Sequence, residues 1–133
     1  MTRRRSINVE GYSHGPHPIP AACRINRVIM TGGIYGLDVA TGQVPDDVAE
    51  QARHMFANVA RILEAGDSSM DDVIKMTVYV KAAEARAAVN DQWVIAFPEP
   101  ETRPARQTLQ NDYLAANVVM QCDVTAVIDV DAR

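Results

Sequence analysis

Cysteine is scarce in this chain of 133 residues: Cys23 and Cys122 are the only two, each inside an apolar, strand-like run. A disulfide framework is therefore excluded as the basis of folding, and the expectation is two buried free thiols in a reducing compartment, with a bridge between them as the alternative. Aromatic residues are also few, at 5% of the chain, so the core must be aliphatic and filled by Val, Ala, Ile and Met. There is no excess of positive charge. The net charge is −4, which gives no footing for nucleic acid, and Arg3-Arg4-Arg5 reads as a solvated tail. No run approaches the roughly 18 to 20 apolar residues that span a bilayer. The first stretch lacks the apolar segment of a signal peptide, so the chain is expected to be cytoplasmic and to have no membrane partner.

Familiar catalytic constellations are missing as well. No serine lies in a nucleophile elbow, no cysteine sits at an evident helix N-terminus, and no His, Asp and Glu share metal-ligand spacing. His14 and His17 stand three apart in a loop over residues 11–20 that is punctuated by Gly11, Gly15, Pro16, Pro18 and Pro20. Two histidines fall short of the three or four ligands a metal requires, so no metal and no cofactor are expected. Gly32-Gly33 lacks the spacing of a nucleotide-binding fingerprint and reads as a strand end where backbone can be approached closely.

What is present is a clear two-layer pattern in one domain over residues 1–133, with residues 1–5 and the last two expected to be disordered. Residues 6–9 alternate, and residues 21–25 and 27–31 form β-prone runs split at Asn26, a hairpin signature. A helix follows Pro45: Asp46 or Asp47 caps it, Glu50 adds negative charge in its first turn, and Gly66 ends it. Val48, Ala52, Met55, Phe56, Val59, Ile62 and Leu63 form its apolar stripe, which leaves His54 as a solvated surface histidine.

Residues 73–80 alternate with Ile74, Met76, Val78 and Val80 on one face and Lys75, Thr77 and Tyr79 on the other. A second, alanine-rich helix runs from 82 to about 95, stopped by Pro98 and Pro100. A short strand over 103–109 and a long one over 118–130 close the chain. In the last strand the even positions from Val118 to Val130 are apolar, and the odd ones, with Gln121 and Asp123, are semi-polar. The order is strand, strand, strand, helix, strand, helix, strand, strand, which predicts an α+β fold of a mixed sheet with two helices packed on one face. The semi-polar face marks a sheet side that meets other subunits or a wet cavity.

Arg106, which follows Pro104-Ala105 into a short strand, is the residue with the clearest chemical capacity. A guanidinium there can fix a ligand carboxylate with two parallel charge-assisted bonds, or make an ion pair between strands or subunits. The helix segment 51–59 with Leu63-Glu64-Ala65-Gly66, the strand 72–80, Val89-Asn90, and above all Arg103-Pro104-Ala105-Arg106 resemble the Rid family. These are the reactive intermediate deaminases, also called YjgF-like proteins, and the likeness spans residues 12–128.

The resemblance implies a chorismate-mutase-like fold, a homotrimer with ligand sites in clefts between subunits, and cofactor-independent hydrolysis of 2-imino or enamino acids to 2-keto acids and ammonia. By the same resemblance Arg106 holds the substrate carboxylate with help from the backbone at Thr108, Thr31 and Gly32 line the pocket, Asn90 stands near the cleft, and His17 falls where a tyrosine is usual. Gln121 departs from the pattern, because active members carry a glutamate there to position or activate water. A glutamine orients water but accepts no proton at neutral pH, and loss of a general base removes about 10² to 10⁴ in rate. Three outcomes stay open: a weak hydrolase that relies on positioning, one whose base has moved to His17 or Asp123, or a trimer that binds a small carboxylate or 2-keto acid without catalysis.

Overall fold

Asn26 adopts a left-handed φ of +51° and turns strand β2 (Ala22–Ile25) into β3 (Val28–Thr31), as the split apolar runs predict. A computed structural model describes this fold for residues 3–129 and 131; the expected disorder at residues 1–2 and 132–133, and the expected strand position 130, fall outside the described residues. Arg5 corrects the expectation of a loose start at 1–5. It opens β1 (Arg5–Ile7), which pairs with β2, and its Nη2 donates to Asp67 Oδ2 over 3.2 Å.

The last strand, β7 (Met120–Val127), organises the core. Val118, Met120, Cys122, Val124, Ala126 and Ile128 are all buried, and the intervening side chains face away from the helices, as strict alternation requires. One edge of β7 meets β3 and the two-residue strand β4 (Ile34–Tyr35) end to end, and its other edge meets β5 (Val73–Val80). A final strand, β6 (Ala105–Gln110), adds to β5 in parallel, giving the order β1-β2-β3-β7-β5-β6 with β4 beside β7. The sheet is mixed, and two helices pack on it, as expected.

Two details of the sheet differ from the sequence expectation. β4 follows Gly32-Gly33, which reads as a strand end, and two residues are too few to show a period. Where β3 leaves β7 and β4 takes over, the backbone N–H of Val124 donates to Thr31 Oγ1 (3.0 Å), so a side chain bridges the gap in the ladder. The second difference is Ile74, which was expected on the core face. A bulge between Val73 and Lys75 shifts the register, so Val73 is buried and Ile74 is exposed, while Met76, Val78 and Val80 point inward as alternation predicts.

Helix α1 (Val48–Ala65) starts at Asp47, whose carboxylate accepts from the Glu50 N–H at 3.0 Å, and stops at Gly66. Its stripe from Ala52 to Leu63 is buried as its spacing dictates. His54 departs from the solvated role expected of it: its side chain is 13% exposed, and Nε2 lies 3.8 Å from both Asp38 and Glu50. Helix α2 (Ala83–Ala96) buries only Ala85 and Val89 fully, and ends as Phe97 stacks edge-on against Trp93. Among the described residues no helix is long and apolar enough to cross a membrane.

Two polar side chains of α1 are buried with full use of their hydrogen-bonding groups. Gln51 Nε2 donates to the carbonyls of Pro45 and Asn117, each at 2.8 Å, and its Oε1 accepts from the Val119 N–H at 3.1 Å. Asn58 Nδ2 donates to the carbonyls of Tyr35 and Leu37. These two amides tie the loops before α1 and before β7 to the helix. A Cβ at Gly36 would overlap the Gln51 carbonyl, so the glycine lets the chain leaving β4 run against α1. Gln51→Leu strands two carbonyls and one N–H in the interior and is expected to cost about 2 to 4 kcal/mol, against about 1 kcal/mol for Asp47→Ala at the cap. Urea unfolding midpoints of both variants check the ranking, and a milder effect at Gln51 than at Asp47 contradicts it.

Candidate active site

The parallel register of β5 and β6 decides where Arg106 points. Met76 pairs with Arg106 and Val78 with Thr108, and side chains paired across a ladder share a face, so both β6 side chains stand on the helix side at the sheet edge. There Arg106 Nη2 donates to Asn90 Oδ1 on α2 at 2.6 Å, and Nε donates to Thr108 Oγ1 at 2.9 Å. The guanidinium lies over the Trp93 ring, 5.1 Å from its centroid, a cation–π contact of about 0.5 to 1 kcal/mol at a partly open site. Burial lowers the Arg106 pKa from its usual value, and the positive charge of Arg86 adds to the effect. Among the described residues no carboxylate lies within ion-pair distance of Arg106. Two of its five N–H groups are engaged by neutral acceptors that fix the plane, and among the described residues the remainder have no hydrogen-bond partner.

Gln121 is elsewhere. On β7 it pairs with Tyr79 of β5 and Tyr35 of β4, while Met76 pairs with Val124, so Gln121 occupies the sheet face opposite Arg106. Asp123, two residues on, shares that face beside Thr77. Burial raises the Asp123 carboxyl above its ordinary value, with the Lys75 ammonium partly opposing. The Gln121 side chain crosses the backbone of Gly33, where a Cβ would lie 2.5 Å from its Nε2. Gly33 therefore has a reason to be glycine that its φ does not supply.

Around Gln121 a pocket is lined by His14, His17, Ile19, Tyr35 and Val44, so His17 and Gln121 are brought together. Tyr12, buried, donates its hydroxyl to the Gly33 carbonyl and accepts from the Tyr35 N–H, each at 3.1 Å. His14 Nε2 donates to the same Gly33 carbonyl at 2.7 Å. His14 enters the sequence reading only as a potential metal ligand, yet it buttresses the Gly33 turn, and its buried Nδ1 has no hydrogen-bond partner among the described residues. Gly32 lies beside His14, and the Thr31 hydroxyl donates to the Gly32 carbonyl at 2.8 Å while accepting from Val124. Thr31 thus shapes this end of the pocket through the backbone. Tyr12, Tyr35 and Trp93 carry no sequence signal beyond their being aromatic in a chain poor in aromatics.

The candidate residues therefore fall into two groups. Arg106, Thr108 and Asn90 meet at the β6 edge on the helix side, and His17, Thr31, Gly32 and Gln121 gather at the β4–β7 end. Strand β5 lies between β6 and β7, and Arg106 and Gln121 point to opposite faces.

The profile of a family described as Endoribonuclease L-PSP matches residues 13–128. A 2-iminobutanoate/2-iminopropanoate deaminase of Escherichia coli K12 is 36% identical over 124 residues, covering 92% of this chain and 97% of the relative. A RutC family protein of Haemophilus influenzae is 32% identical over 112 residues, covering 83% of this chain and 86% of that one. The crystal structure of the YjgF gene product of E. coli superimposes with a TM-score of 0.84 at 32% identity, over 94% of this chain and 99% of that one. E. coli TdcF with bound serine gives a TM-score of 0.85 at 28% identity, over 94% of this chain and 99% of its own. The expected chorismate-mutase-like α+β fold agrees with these neighbours.

The raised Asp123 carboxyl makes a prediction about stability. A carboxyl that holds its proton more tightly folded than unfolded penalises the folded state when ionised, above its raised pKa. The penalty fades as pH falls toward the ordinary value near 3.9. Asp123→Asn is therefore expected to be more stable than the parent at pH 7, with the gap narrowing toward pH 4. Denaturant midpoints across that range check it, and a gap independent of pH or of opposite sign contradicts it.

Proposed function

The chain belongs to the Endoribonuclease L-PSP family, the YjgF/Rid family, and from that premise we propose that it is an imine deaminase. It hydrolyses a small 2-imino or enamino acid to the 2-keto acid and ammonia in clefts between the subunits of a homotrimer. The observation that carries this reading is Arg106: among the described residues its guanidinium is fixed by Asn90, Thr108 and Trp93 and has no acid partner, which suits it to receive a carboxylate. An ion pair within the chain would have its carboxylate in place.

Trimeric assembly is supported by two features of the single chain. Arg106 and Gln121 cannot meet across their own sheet, so a site that uses both takes them from two copies. The sheet face away from the helices also carries Val28, Met30, Leu109 and Val127 in the open, with Met30 60% exposed, an apolar face suited to burial between copies. The relative named for 2-iminobutanoate and 2-iminopropanoate, and the serine bound to TdcF, support a short amino-acid skeleton as ligand.

In the reaction the Arg106 guanidinium holds the substrate carboxylate, and the amide of Gln121 orients a water toward the imine carbon. The water oxygen forms its bond to that carbon while the C=N electrons move to nitrogen. One proton of the water passes to the nitrogen, giving a carbinolamine; its hydroxyl then gives up the second proton to nitrogen as the C=O bond forms and the C–N bond breaks, and ammonia leaves with that electron pair. Gln121 does not take the proton. His17 shares its pocket, and Asp123, with its raised pKa, shares its strand face, so both stand where a relay to nitrogen can use them. A second reading rests on the same amide: with no carboxylate at 121, the trimer captures a 2-keto acid without turning it over.

Imines released by an amino-acid oxidase and trapped with semicarbazide separate the two readings. Suppression of the semicarbazone at micromolar protein is expected, Arg106→Ala abolishes it, and Gln121→Glu raises the rate by about tenfold or more by restoring a base. Absence of suppression by both the parent and Gln121→Glu contradicts the deaminase reading.

A further inference from the structure

The stripe of α2 that faces Arg106 extends one turn beyond the residues that hold it. Asn90 accepts from Arg106 and Trp93 lies beneath its guanidinium. Arg86 stands four residues before Asn90 and seven before Trp93, the spacing that puts all three on one helix face. Its charge reaches Arg106 strongly enough to oppose that group's protonation. Among the described residues neither arginine has a carboxylate within 4 Å: the ion pairs are made by Arg5, Arg24, Arg53 and His54, and the acids of α2, Glu84 and Asp91, join none of them.

The charge of Arg86 bears on Arg106 from the same helix face, and with no described carboxylate to offset either group the two repel, more strongly where Arg106 is partly withdrawn from water. One carboxylate satisfies Arg106. It leaves Arg86, whose backbone lies about 6 Å from Asn90 along the helix axis at 1.5 Å per residue, with an unmet demand for a second negative group.

We propose that Arg86 is a specificity-determining residue that receives a second carboxylate, so that the preferred ligands are short dicarboxylates, the imines of acidic amino acids rather than of aliphatic ones. The proposal rests on the deaminase reading for the imine, but its recognition element is tested without turnover. Arg106 takes the carboxylate next to the imine carbon and Arg86 the side-chain carboxylate, each as a charge-assisted contact. The exposure of Arg86 lets its long side chain adjust to chains of different length.

Calorimetric titration of the assembled protein with butanoate and with butanedioate at low salt compares one carboxylate with two on the same four-carbon skeleton. The parent is expected to bind butanedioate at least about tenfold more tightly. Arg86→Gln is expected to collapse that ratio to about threefold or less, and Arg106→Gln to weaken both acids. Equal affinity for the two acids, no detectable binding of either, or a ratio that survives Arg86→Gln overturns the proposal. Semicarbazone suppression with the imines of aspartate and of 2-aminobutanoate, run beside it, reports on the deaminase reading separately. Binding preference without suppression leaves the second carboxylate site standing and the deamination refuted, and suppression without preference does the reverse.

Discussion

Alternation along β7, carried across β5 to β6 by the hydrogen-bond register, is the constraint on which the rest of the molecule depends. Side chains one residue apart go to opposite faces, and side chains paired across a ladder go to the same one. Once Val124 and Met76 are committed to the core, Gln121, Asp123 and Tyr79 must face away from the helices, and Arg106 and Thr108 must face toward them. No rotamer change moves either group through the sheet. In the proposed trimer any chemistry that the two groups share belongs to the assembly, and the exposed apolar side chains on the far face offer a surface for it.

Arg106 shows how a charge can be held ready without being neutralised. An arginine paired as Arg53 is, with Glu50 Oε2 at 2.6 Å, has its positive potential already answered. Arg106 instead rests on an amide oxygen, a hydroxyl and an indole face, all neutral. These contacts fix orientation and leave the charge to act on whatever anion arrives, and Arg86 adds to that charge instead of offsetting it. The separate pocket around Gln121 is likewise shaped by hydrogen bonds to backbone. Tyr12 and His14 hold the Gly33 carbonyl, and Gln121 lies across the glycine.

Most of the layer architecture was legible in the sequence because it rests on long periodic segments. The α1 stripe from Ala52 to Leu63, the even positions of β7 and the Asn26 hairpin each repeat their signal several times or carry distinctive turn chemistry. Ile74 was misplaced because a one-residue bulge leaves no mark on composition, and β4 was missed because two residues cannot display a period. His54 falls off an apolar stripe, yet Asp38 comes up beside it from a loop whose course no local pattern gives. At the site, Arg106 and Gln121 were identifiable by residue type and motif, but their opposition across the sheet depends on the parallel register of β6. The buttress of Tyr12 and His14, and the alignment of Arg86 with Asn90 and Trp93, depend on tertiary neighbours alone.

The central claim is that a working site takes Arg106 from one copy of the chain and Gln121 from another. Arg106→Ala and Gln121→Leu proteins, each assembled alone and then unfolded together and reassembled as a mixture, test it by semicarbazone suppression. Mixed assemblies contain clefts in which both residues are intact, so activity above the sum of the two separate variants is predicted. A mixture no more active than that sum, when formation of mixed oligomers is verified by mass spectrometry, would contradict the account.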